Sequence, residues 1–240
     1  MVVYGINPVA EAVRTGYPVL KIFIDEKFRD RGRILKLARE RGIKVVRASR
    51  KKLADISGTE KHQGIVALIS PVEPVEFEEL LKRTLKERGY LLFLDRIEDP
   101  HNLGAIFRSA DAFKATGIVL PRDRSATITD TVVKASTGAV FHVPFTVVNS
   151  FSTAIREFKE AGGWLIGLEL GGKPLSRFKF PFPLGLVVGS EGRGISKPVR
   201  KQLDSTVEIE MGGHVNSLNV SNAAAIGLYR VFLERFILQE

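Results

Sequence analysis

"STVEIEMGGHVNSLNVSNAAAIGLYRVF", residues 205–232, carries the information that decides the fold. The first seven residues read as a strand, and from Ala223 onward small apolar residues read as a tightly packed helix. Between them stand Asn216, Ser217, Asn219, Ser221 and Asn222. A helix start near Ser221 needs one side-chain cap, so this excess of polar groups reads as a binding site at a helix N-terminus, whose free N–H groups also favour anionic ligand groups. Ser217 and Asn219 lie two apart; on an extended stretch they point the same way, while Leu218 points opposite, into the core or against a ligand.

Upstream, the chain repeats this strand-to-helix theme. "YLLFLD", "LGAIFRSADAFKA", "GIVLP", "TDTVVKAS", "VPFTVV", "FSTAIREFKEAG", "WLIGLEL" and "LGLVVG" follow one another from residue 90 to 189. Apolar strands joined by amphipathic crossovers predict an α/β domain with a parallel sheet covered on both faces. In such a sheet ligands bind beyond the carboxyl ends of the strands, which directs attention to the loops after "YLLFLD", "LGLVVG" and "STVEIEM".

The first of these loops opens "DPHNLGAIFRSADAF", residues 99–113, where Asn102, Gly104 and Arg108 form an N-x-G-x-x-x-R pattern. Asn102 is the predicted N-cap, Gly104 permits close approach to the first turn, and Arg108 lies about a turn and a half further on. A capped helix with one solvated arginine is the plain alternative. In the second loop, Gly189, Gly192 and Gly194 surround Glu191. Neither a Walker nor a Rossmann glycine pattern is present, so the glycines read as bends around a flat or cationic ligand with Glu191 as its polar anchor, or as a plain turn. A serine hydrolase built on Ser109 or Ser190 would need the G-x-S-x-G elbow, which is missing.

Charge divides the chain. Of the net +9, residues 1–70 carry an excess of eight, 15 lysines and arginines against 7 acids. A concentrated positive field favours a polyanion such as nucleic acid, because each phosphate neutralised releases counterions. The basic residues gather at Arg29, Arg31 and Arg33 and again at Arg47, Arg50, Lys51 and Lys52, the predicted RNA contacts. "SPVEPVEFEE", residues 70–79, marks the boundary: domain 1–70, linker 71–75, domain 76–240. The first domain reads as a small α/β unit with Asn7 capping the helix "NPVAEAVRT", Gly16 ending it, and "GIVALI" as its last strand.

At 240 residues and 44% hydrophobic content the chain can bury a substantial core. It has no apolar run of the roughly 20 residues a membrane helix needs, and its N-terminus lacks a secretory pattern, so a cytoplasmic, membrane-free protein is expected. With no cysteine, disulfides and thiolate chemistry are excluded; the four histidines are too scattered to read as ligands, and no metal is expected.

The three loop segments, "DPHNLGAIFRSADAF", "LVVGSEGRGIS" and "VEIEMGGHVNSLNVSNAAAIGLYR", resemble the three signature motifs of the SpoU/TrmH (SPOUT) family of RNA ribose 2'-O-methyltransferases. "VYGINPVAEAV" and "KHQGIVA" further resemble the ribosomal-protein-like substrate-binding domain of the branch that methylates a guanosine ribose in 23S rRNA. The resemblance implies a C-terminal domain with a deep trefoil knot and S-adenosyl-L-methionine held bent by the counterparts Gly189, Ile209 and Leu218. It also implies a catalytic set of Asn102, Arg108, Glu191, Ser217 and Asn219, and a homodimer whose active sites each draw on both chains. Arg108 is the family's catalytic arginine; since guanidinium stays protonated, a grip on substrate phosphate suits it better than general-base duty. Transfer RNA as the substrate and a non-catalytic RNA-binding role are the alternatives.

Overall fold

The computed structural model describes residues 1–29, 34–214 and 217–238, so Arg31, Arg33 and Asn216 lie outside the described residues. The chain divides into two units, one of Met1–Glu73 with Thr127–His142, the other of Pro74–Ala126 with Val143–Glu240.

In the first unit, β1 (Val2–Tyr4), α1 (Ile6–Thr15), β2 (Val19–Ile24), α2 (Ile34–Glu40), β3 (Val45–Arg47), α3 (Arg50–Ser57) and β4 (Ile65–Ile69) follow in order. Among the described residues they form a four-stranded sheet in the order β1-β4-β2-β3, with β2 and β3 parallel and the other pairs antiparallel. Gly5, not Asn7, holds the N-cap position of α1, and its backbone at φ 93° is one that a side chain would strain. Gly16 ends the helix in the left-handed conformation, as the sequence suggests.

The second unit holds α4 (Phe77–Glu87), β5 (Tyr90–Asp95), α5 (Pro100–Ala112) and β6 (Gly117–Pro121). The chain then enters α6 (Asp130–Ala135), which belongs to the first unit, and returns as β7 (Phe145–Val148), α7 (Phe151–Glu160), β8 (Trp164–Pro174), β9 (Leu184–Gly189), α8 (Lys197–Arg200), β10 (Ser205–Glu208) and α9 (Val220–Phe232). "TDTVVKAS" is therefore not a crossover covering the second sheet. Asp130 Oδ1 accepts from the Val2 N–H at 3.2 Å, His142 meets Glu11 at 2.9 Å, and Phe141 packs on Tyr17 at 4.9 Å between ring centres. Periodicity assigns a segment's type; it does not say which sheet the segment covers.

Among the described residues the second sheet has six strands, all parallel, in the order β10-β8-β9-β5-β6-β7. β5 and β9 lie at its centre and are buried at every position, hence their unbroken apolar runs. From β5 the chain builds outward through β6 and β7 on one side, then returns to lay down β8, inserts β9 between β8 and β5, and adds β10 outside β8. The switch between these two directions falls between β5 and β9, where loops diverge and leave a crevice at the strands' carboxyl ends.

Candidate active site

At that crevice Asp95, the last residue of β5, pairs in register with Gly189, the last of β9. Asp95 is only 3% exposed; one carboxylate oxygen accepts from the Ser196 N–H at 2.6 Å and the other from Arg96 Nε at 3.1 Å. A buried carboxylate needs such partners, and here they fasten the second loop to the first. Gly189 is required by close approach: a Cβ there would stand 2.1 Å from the Gly194 carbonyl carbon and 2.3 Å from the Ile195 nitrogen. The loop doubles back so tightly because Gly194 N–H donates to the Ser190 carbonyl at 2.9 Å, with Gly192 turning at φ 78°.

Helix α5 is capped by Asp99, whose carboxylate accepts from the N–H groups of His101 at 3.2 Å and Asn102 at 3.1 Å, with Pro100 as the first helical residue. The predicted cap at Asn102 is thus displaced by three residues. The reason is local: an aspartate followed by proline is the stronger start signal, and it leaves the Asn102 side chain for other work. Asn219 caps α9, its Oδ1 accepting from the Ser221 N–H at 2.9 Å and the Ser221 hydroxyl at 2.6 Å. Its Nδ2 donates to Glu191 Oε1 at 2.8 Å and to Asn102 Oδ1 at 3.0 Å, and Asn102 Nδ2 lies 3.5 Å from Glu191 Oε2. One residue from each of the three loops therefore meets the other two.

This cluster sits on a wall shared by two cavities. The larger, about 640 Å³, is lined by Leu168, Val188, Gly189, Ile209, Met211, Ser217, Leu218 and Asn219 among others; the smaller, about 350 Å³, by Arg96, Asn102, Arg124 and Val220 among others. Ser190, Glu191, Arg193 and Val220 line both. Gly189, Ile209 and Leu218 thus lie together in the larger cleft, with Ser217, which has no hydrogen-bond partner among the described residues. The cleft combines apolar walls with open loop backbone, and its volume is that of a small-molecule site.

Arg108 is elsewhere. Six positions beyond Asn102, it lies about 120° round the helix. It is exposed, lines neither cavity, and has no partner among the described residues. In the first unit, Arg47 ends β3 and Arg50, Lys51 and Lys52 form the opening turn of α3 behind the Ser49 cap, all four exposed. Three cations and no acid in a first turn oppose the helix dipole, a cost that folding alone does not call for.

Sequence reasoning missed Asp95, Arg96, Arg124 and Arg193. An acid closing an otherwise apolar buried strand was the available signal for Asp95. Nothing in the sequence shows that the three arginines converge. Among the described residues no helix is long and apolar enough to cross a membrane, and no three His, Cys, Asp or Glu side chains gather as metal ligands would.

The model of the SpoU rRNA Methylase family matches residues 89–229, and that of the RNA 2'-O ribose methyltransferase substrate-binding family matches residues 2–75. A Staphylococcus aureus protein named as a TrmH family tRNA/rRNA methyltransferase is 42% identical over 239 residues, covering 98% of this chain and 96% of the relative. Among solved structures, the SpoU methyltransferase AviRb from Streptomyces viridochromogenes in complex with AdoMet is similar at a TM-score of 0.81 and 28% identity, covering 98% of this chain and 90% of that one. An AdoMet-bound rRNA methyltransferase from Sinorhizobium meliloti shares the fold at a TM-score of 0.78 and 24% identity, covering 98% and 87%.

Proposed function

Because the chain belongs to the SpoU rRNA Methylase family, we propose that it transfers a methyl group from S-adenosyl-L-methionine to a ribose 2'-hydroxyl in RNA, with a guanosine of 23S rRNA as the favoured target. The observation that carries this reading is the Asn102–Glu191–Asn219 cluster on the wall between two cavities. One cavity has the size and apolar lining for the cofactor, the other opens toward the basic side chains that a nucleotide requires.

The larger cleft fits the cofactor on its own features: Leu168, Val188, Ile209, Met211 and Leu218 offer apolar contact, while Gly189, with the Gly194–Ile195 backbone packed against it, holds the second loop tightly at its edge. When bound, the cofactor would supply a sulfonium methyl group that the 2'-oxygen displaces, the S–C bond breaking to leave a neutral thioether while the hydroxyl gives up its proton. The chain's residues have two tasks, to align the hydroxyl and to manage that proton. Asn219 and Asn102 each donate to one Glu191 oxygen, fixing the carboxylate while leaving further lone pairs free to accept from a hydroxyl. Ser217 and Asn219 flank the same point from the third loop. Arg108 does not take the proton, since its guanidinium stays charged.

Arg108 takes part through a homodimer. It is exposed and unpartnered on α5, and α9, which packs on α5, leaves Ile226 and Tyr229 exposed at 39% and 48%. Exposed apolar side chains on α9 and an unpaired arginine on the helix it packs against suit a second copy of the chain, whose site Arg108 would complete. RNA is held by the 2–75 module, with Arg47, Arg50, Lys51 and Lys52 on its phosphates. The trefoil knot and the division into domains 1–70 and 76–240 around the linker 71–75 belong to the same proposal, with Thr127–His142 assigned to the RNA-binding unit.

The test is incubation of the full chain with labelled S-adenosyl-L-methionine and unmodified 23S rRNA or tRNA transcripts, followed by mapping of the label. A 2'-O-methyl guanosine in 23S rRNA is the expected product. Label in tRNA alone would move the target; label on a base, or none on any RNA, would overturn the reaction.

A further inference from the structure

Resting on the proposed methyl transfer to RNA ribose, we infer that the smaller cavity holds a backbone phosphate flanking the target nucleotide, gripped by Arg124 and Arg193 with Arg96 as their fixed support. These three arginines come from three different loops at the carboxyl ends of β5, β6 and β9, yet all line one space of about 350 Å³. Arg96 stands at φ 64°, a backbone state unusual for a side-chain-bearing residue, and is tied to Asp95 at 3.1 Å and to the Gly194 carbonyl at 3.4 Å. Arg124 also has a left-handed backbone, φ 55°, and its loop is fastened to the first by the Ala126 N–H donating to the Ile97 carbonyl at 2.8 Å. Arg193 projects from the turn that the Ser190–Gly194 pairing closes.

The cavity's lining is formally balanced, three arginines against three acids, but the acids and the arginines differ in which of them are already hydrogen-bonded. The acids that line it are Glu98, Asp99 and Glu191. Asp99 is engaged by the first N–H groups of α5, Glu191 by Asn219 and Asn102, and Arg96 by Asp95. Arg124 and Arg193, both exposed, have no side-chain partner among the described residues, so their guanidinium donors are the ones left free to bind an anion. Two planar forks facing one space match the oxygens of a phosphodiester. Because Glu191 and Arg193 line the cofactor cleft as well, a phosphate held here would set its own ribose against the shared wall. Arg108, outside both cavities of its own chain, cannot supply this grip there.

The full chain, saturated with S-adenosylhomocysteine, would be titrated calorimetrically with ribonucleoside 3',5'-bisphosphates and with the bare nucleosides. The bisphosphate is expected to bind about tenfold or more tightly, since charge-assisted hydrogen bonds to arginine are the strong ones. Arg124→Gln with Arg193→Gln should reduce that preference to about threefold or less, and Arg124→Lys should restore part of it, since lysine keeps the charge but not the fork. The thermal unfolding midpoint of each variant serves as the folding control and should stay unchanged, since both side chains are exposed. Equal binding of both probes by the wild type, or full preference in the double variant, overturns the inference. No turnover enters these readings, so failure of the methyl-transfer assay is seen separately.

Discussion

Replacing Gly189 by alanine tests whether the second loop is built by backbone contact or by its polar side chains. The added Cβ would fall 2.1 Å from the Gly194 carbonyl carbon, 2.3 Å from the Ile195 nitrogen and 2.4 Å from the Gly194 oxygen. Carbon atoms in contact settle near about 3.5 Å, so the Gly194–Ile195 backbone must retreat by roughly 1.4 Å. No flexible side-chain tip can give way, because all three obstacles are main chain. The retreat breaks the Gly194 N–H to Ser190 bond of 2.9 Å and draws the Ser196 N–H from the Asp95 carboxylate, a contact of 2.6 Å. Overpacking of this kind costs about 1–3 kcal/mol, and a hydrogen bond to a charged group about 1.5–3 kcal/mol more. The strain lies in the wall of the larger cleft, so S-adenosylhomocysteine affinity should fall by about tenfold or more, the equivalent of some 1.4 kcal/mol. Calorimetry on the full chain reads this directly. Gly212→Ala, where a new Cβ meets nothing within 4 Å, is the control expected to bind normally. Gly189→Ala binding within twofold of wild type would refute the account of the loop.

Three further outcomes are expected. Arg50→Glu, Lys51→Glu and Lys52→Glu together should weaken RNA binding and shallow its salt slope, by about 0.7–0.9 for each phosphate no longer neutralised, while cofactor affinity is unchanged; an unaltered slope would demote the first turn of α3 to a solvated face. In mixed dimers of Arg108→Ala and Asn219→Ala chains, methylation should recover to about half the wild-type level if Arg108 serves the other copy's site, because one composite site is then whole; verified heterodimers with no recovery would place Arg108 in its own chain's site. Burial alone would raise the Glu11 carboxyl, but hydrogen bonds from His142 and Arg14 outweigh it and hold the group below its ordinary value, so its contribution is present above the unfolded pKa, about 4.3, and lost as pH falls through the depressed one. Glu11→Gln should therefore lower the unfolding midpoint at pH 7 and converge with wild type in acid; equal midpoints at pH 7 would remove this contact from what holds Thr127–His142 to the first unit.

Much of the second unit was legible because a parallel sheet writes itself plainly: β5 and β9 are buried on both faces and so are apolar throughout. The polar cluster before α9 was legible too, since one helix start cannot use so many caps, and Asn219 in fact does two jobs at once. Where the sequence fell short, the cause was competition or distance. Asp99 and Asn102 are both good caps, and the Asn102 of the N-x-G pattern competes with the Asp99-Pro100 signal that wins. The α6 segment has an ordinary helical pattern, and only the Asp130 and His142 contacts show that it serves the other sheet. Arg96, Arg124 and Arg193 are separated by 28 and 69 residues, and a convergence over such spans leaves no local pattern.

The same limit bears on Arg108. A motif names residues and not directions, and an arginine six positions from Asn102 on one helix invites the inference that the two work side by side. The helix period places them about 120° apart, and Arg108 lines neither cavity while Asn102 lines the smaller one. Asn102 is the one that faces it, 9% exposed and bonded to Asn219. An arginine turned about 120° from that side of the helix, exposed and lining neither cavity of its own chain, is placed to serve the crevice of a second copy. If Arg108 serves a second copy's crevice, as proposed, the catalytic unit is two chains, and a single chain would bind cofactor in its larger cleft without completing the transfer. Dilution below the dimer dissociation constant is the corresponding experiment: cofactor binding should persist while turnover per chain declines, and turnover per chain that holds constant through dissociation would return the whole reaction to one chain.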